Sequence, residues 1–103
     1  MQKLEIKHIS YMELRWDDFC EFIKEIYNLS EIKWYWTVEE DLRDGDPVFD
    51  IKKDPLAPRW AADLQKFKDT GNSKDVDDVI HLILTDLCCQ GHLEPGRYHF
   101  YLS

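Results

Sequence analysis

Long apolar runs are missing from this 103-residue chain: the densest are the triplet Trp34, Tyr35 and Trp36 and the interrupted stretch from Val79 to Leu87. Both fall well short of the roughly 20 residues that a membrane-spanning helix requires. Positive charge is scarce as well. Thirteen Lys and Arg stand against 21 Asp and Glu, a formal charge of −8 with histidine neutral. No compact basic cluster offsets that balance, so direct binding to nucleic-acid phosphate is not expected. Cysteine is limited to three residues, two of them adjacent (Cys88, Cys89), which is no disulfide framework and fits a reducing compartment. The opening residues, Met1-Gln2-Lys3-Leu4-Glu5, carry charge and no apolar stretch of the secretory kind, and the cytoplasm is the expected location. Four scattered glycines supply no phosphate-cradling loop between a strand and a helix, and no cofactor is expected.

What the chain does have is core material. Hydrophobic residues make up 44% and aromatics 14%, enough to fill one hydrophobic core despite the high charge content, so residues 1–103 are read as a single globular domain.

Leu4 and Ile6 alternate with Glu5 and Lys7, the period of a half-buried strand over residues 3–9. Ser10 and Glu13 have capping-box spacing, and Met12, Trp16, Phe19, Cys20, Ile23, Ile26 and Tyr27 recur at helical steps, predicting an amphipathic helix to about Asn28. Ile32, Trp34, Trp36 and Val38 alternate with Lys33, Tyr35 and Thr37, which reads as a second strand, with Trp34 and Trp36 under the helices and Tyr35 on the less buried face. Beyond it, Thr37 and Glu40 could cap a short helix from Val38 to Asp44, or the same residues could form an acidic hairpin loop.

Val48, Phe49 and Ile51 predict a brief strand after Gly45-Asp46-Pro47. Pro58 opens a helix with the stripe Trp60, Ala61, Leu64 and Phe67, ended by Gly71. Asp75 caps a longer one through Val76, Val79, Ile80, Ile83, Leu87 and Cys88, with Leu82 and Leu84 widening its stripe, until Gly91. Tyr98, Phe100 and Leu102 then alternate with Arg97, His99 and Tyr101 in a last strand. The order β-α-β-(α)-β-α-α-β predicts an α+β domain with two to three main helices packed on three or four short, mostly antiparallel strands.

The acidic stretch Glu39-Glu40-Asp41-Leu42-Arg43-Asp44-Gly45-Asp46, continuing to Asp50, holds six carboxylates against one arginine. A calcium loop fails in register: with Gly45 at the sixth position, Leu42 falls on a ligand position and Ile51 where a bidentate glutamate belongs. Cys88, Cys89 and His92 are zinc-ligand types. Adjacent cysteines nevertheless point to different faces of a helix, so a buried packing residue beside a surface thiol is expected and no metal site. His81 has Asp77, Asp78 and Thr85 at helical neighbour positions, a grouping that could orient an imidazole for acid–base work in a pocket, although no nucleophile motif accompanies it.

The reading these observations favour is a small acidic, non-enzymatic interaction protein that binds and neutralises a basic partner. An immunity protein against a nuclease-type toxin would fit, as would a phage-type inhibitor of a nucleic-acid enzyme. Glu39, Glu40, Asp41, Asp44, Asp46 and Asp50 would supply the charge and Tyr35 an anchor. The alternatives are a small enzyme or ligand-binding domain built on a His81/Asp pocket, and an accessory subunit docking on a larger assembly through the same acidic face.

Overall fold

In the computed structural model, which describes residues 6–8, 12–29, 35–44, 47–52, 58–71 and 75–102, the strand expected over residues 3–9 is described at residues 6–8, the rest of that span lying outside the described residues, and a second strand follows it. Strand β1 (Ile6–His8) pairs antiparallel with β2 (Met12–Arg15), His8 opposite Met12 and Ile6 opposite Leu14. The capping box is thereby overturned: Glu13 lies inside a strand, and helix α1 (Trp16–Tyr27) begins directly after β2 with Arg15 as its extended N-cap. The reason is non-local. Met12 and Leu14 pair in parallel register with Tyr98 and Phe100 of β4 (Gly96–Tyr101), a row that Glu13 and Arg15 flank on the opposite face. Asn28, in the left-handed region at φ 55°, ends α1 by donating its backbone N–H to the Lys24 carbonyl.

The predicted strand over residues 32–38 is overturned from Tyr35 onward, because helix α2 runs Tyr35–Asp44. Val38 and Leu42, one helical turn apart, are both buried in the core, and that pairing outweighs the β preference of the aromatic run. The short-helix alternative over Val38–Asp44 was the closer reading. The expected positions of Trp34 and of the Trp36 side chain lie outside what is described, while Tyr35 sits on a helix rather than on a sheet face.

Strand β3 (Val48–Ile51), helix α3 (Pro58–Thr70), helix α4 (Val76–Cys89) and β4 follow as expected. In α3, Trp60, Leu64 and Phe67 are buried but Ala61 is exposed, so the apolar stripe is narrower than predicted. Asp75 caps α4, its carboxylate accepting the Asp78 N–H at 3.3 Å. Gly71 and Gly91 follow the two helices at positive φ, 66° and 85°.

The sheet order is β1-β2-β4-β3, with β4 parallel to β2 and antiparallel to β3. The fold is α+β. One sheet face, carrying Met12, Leu14, Phe49, Ile51, Tyr98 and Phe100, joins residues of all four helices in a single core cluster. Its centre is aromatic: Trp16, Phe19 and Phe49 each meet the Phe100 ring, at 5.2, 4.7 and 5.7 Å between centroids. The other face carries Glu13, Arg15, Val48, Asp50, Arg97, His99 and Tyr101, none of them buried. Tyr101 thus falls on the less buried face, as its position in the alternation implied.

Candidate acidic docking site

Burial of Val38 and Leu42 fixes the roll of α2 about its axis. Thr37, Glu40, Asp41 and Asp44 stand at i, i+3, i+4 and i+7, so they form one outward stripe, and all four are exposed. Among the described residues no cation pairs with Glu40, Asp41 or Asp44. Glu39 lies to the side of this stripe, half-buried, and accepts a 3.0 Å ion-pair bond from Arg43 one turn on. Three of the six predicted carboxylates are therefore presented together and a fourth is partly neutralised. Asp50 is exposed on β3 opposite Arg97 in register, on the open sheet face and not on α2. Asp46 lies outside the described residues.

Tyr35, the expected anchor, is engaged within the fold. Its phenol donates to Asp17 Oδ1 at 2.6 Å, and its ring stacks on Trp16 at 5.8 Å with an interplanar angle of 18°. The bond to Asp17, followed by burial and the nearby carboxylates, pushes the Tyr35 phenol well above its ordinary value, so it remains a neutral donor. The contact ties the start of α2 to the start of α1.

That tie reveals acids which sequence reasoning left out of the site. Asp17 and Asp18 occupy the first turn of α1, where negative charge complements the helix dipole, and Glu21 follows one turn later. Arg15 bridges the first two, at 3.2 Å to Asp17 and 2.8 Å to Asp18, and Lys24 approaches Glu21 at 3.4 Å. Cys20, on α1, is buried. Burial pushes its thiol up most, Lys24 opposes the shift, and Asp17, Glu21 and Glu39 all add to it. The sequence signal was the Asp17-Asp18 pair after Trp16, but nothing in the spacing tells that α2 lies against it.

The remaining constellations are dispersed. His81 is exposed on α4, and the Thr85 hydroxyl donates to the His81 backbone carbonyl at 2.8 Å rather than orienting the imidazole. The Asp78 carboxyl is raised chiefly by neighbouring Asp75, through charge and a hydrogen bond, with His81 opposing. Cys88 is fully buried and directs its Sγ toward the Glu94 carbonyl at 3.5 Å; Cys89 is half-buried, and His92 meets the Phe22 ring edge-on at 5.6 Å. Among the described residues no group of three His, Cys, Asp or Glu side chains could hold a metal ion. No described helix is long and apolar enough to cross a membrane.

No protein-family model, curated protein or solved structure matches the chain.

Proposed function

We propose that the chain is a non-enzymatic interaction protein that docks on a basic partner and neutralises it, as an immunity protein or phage-type inhibitor does to a nuclease-type toxin or nucleic-acid enzyme. The observation that carries this reading is the outward stripe Glu40, Asp41 and Asp44, none of them ion-paired with a cation among the described residues, held on a helix whose opposite side is rooted in the core. A nuclease site is electropositive because it holds phosphate, and a preorganised carboxylate array can occupy it in place of the substrate. The α1 acids Asp17, Asp18 and Glu21 are paired with Arg15 and Lys24 and add less to that field than the α2 stripe. An accessory subunit would dock through this face by the same physics. The His81 reading has weaker support, since that imidazole is exposed and its Thr85 neighbour is committed to the backbone.

The test is kinetic. Once a partner is captured from source lysate, stopped-flow association is compared between the native chain and a variant carrying Glu40→Lys, Asp41→Lys and Asp44→Lys. All three positions are exposed, so the fold should survive. Association should slow at least tenfold with little change in dissociation. It should also weaken between 0.1 M and 1 M salt, as the screening length drops from about 10 Å to about 3 Å. A rate indifferent to both reversal and salt removes α2 from the interface.

A further inference from the structure

We propose, resting on the docking reading above, that the basic partner also adds an extended segment to the outer edge of β3. The order β1-β2-β4-β3 gives β3 a single neighbour, and among the described residues nothing pairs with its other flank. Every second residue of such an edge directs its N–H and C=O outward, a ready template for another strand. Val48 on this strand is 44% exposed, the one large apolar side chain that the described residues leave to solvent. Asp50, also exposed, has Arg97 in register on its inner flank and no strand partner among the described residues on its outer flank.

Charge selects the occupant. A second copy carries the same whole-chain charge of −8 and is repelled, whereas a basic segment is attracted by that net charge. Asp44 precedes Val48 by four residues, a chain reach of at most about 14 Å, so the stripe that steers the partner lies close to where the strand would start. The pleat then specifies the pattern. Residues on one side of the added strand extend the buried row of Phe49 and Ile51 and are apolar. Residues on the other side place a Lys or Arg beside Asp50 and lay its methylene stem over Val48.

The probe is a capped hexapeptide of three Lys-Val repeats, titrated into the isotope-labelled full chain and followed by amide NMR. It is compared with two versions N-methylated on the lysines or on the valines. Only one of these sets of N–H groups faces β3 in the register that the side chains dictate. Shifts should centre on Val48–Ile51, one methylated version should lose at least tenfold in affinity, and the other should bind like the parent. Val48→Lys, at an exposed position, should weaken the parent peptide by a similar factor without unfolding the chain, since the new cation repels the lysines laid over it. Equal binding of both methylated versions, or shifts confined to α2, overturns the strand addition and leaves side-chain docking on α2 standing. Sedimentation showing a dimer that excludes the peptide overturns it in favour of a second copy. Failure of the docking reading shows separately, as a partner whose association ignores the α2 reversal.

Discussion

Tyr27→Phe tests the most exacting polar contact in the core. Asp86 lies on α4 at 6% exposure and Tyr27 ends α1 at 8%. Across 59 residues of chain, the phenol donates to Asp86 Oδ2 at 2.5 Å, and the Gln90 side-chain amide donates to the same oxygen. A carboxylate so enclosed is held by its donors, and a hydrogen bond to a charged group contributes about 1.5 to 3 kcal/mol. Losing the hydroxyl leaves Gln90 as the remaining described donor to the carboxylate, so a cost near the middle of that range, about 2 kcal/mol, is expected from urea denaturation with unchanged m. For a domain of this size that corresponds to a fall in Tm on the order of 10 °C. The partner variant Asp86→Leu and the double variant complete a cycle. A coupling of about 1 to 2 kcal/mol identifies the bond itself, since removing both partners spares the fold an unsatisfied group. A loss below about 0.5 kcal/mol, or a coupling near zero, would show that Asp86 is solvated and that the helix ends are joined by apolar packing alone.

Leu87→Ala, at a fully buried position on α4, should cost about 2 to 5 kcal/mol through lost transfer energy and a residual cavity; denaturation showing under about 0.5 kcal/mol would place that stripe in solvent. Gly96→Ala should cost about 1 to 2 kcal/mol, because φ is 156° and an added methyl would run into the end of the Met12 side chain. The flexible Met12 tip can give way, so in a double-mutant cycle by urea denaturation Met12→Ala, itself costly at a buried position, should couple favourably to Gly96→Ala by only the smaller, steric part. Alkaline pH should unfold the chain cooperatively. Burial raises the Cys20 thiol and the Tyr27 and Tyr98 phenols above their ordinary values of 9.0 and 10.0, so stability is full below about pH 9 and is lost as pH climbs above those values. In a pH series of denaturation midpoints, Tyr98→Phe should make the decline shallower, and an unchanged slope would mean that the phenol reaches water.

Helix α4 was legible residue by residue: a capping Asp75, apolar side chains at three- and four-residue steps and a following Gly91 each act within one or two turns of chain. Strands β3 and β4 were legible for the same reason, since alternation is a local property. The sequence also determined the charge, with six carboxylates between Glu39 and Asp50 against one arginine. It could not decide between strand and helix where two periods overlap. Trp34-Tyr35-Trp36 has β character, yet Val38 and Leu42 reach the core together only when wound as α2. Nor could it reveal that Met12 and Leu14 belong to a strand, because their partners Tyr98 and Phe100 lie at the far end of the chain and the pairing is parallel. The acidic face was divided in the same way. Its charge was present in composition, but which α2 carboxylates share a surface followed from burial of Val38 and Leu42, and the Tyr35 bond to Asp17 across 18 residues, with the Tyr35 ring stacked on buried Trp16, is a contact that tertiary packing creates.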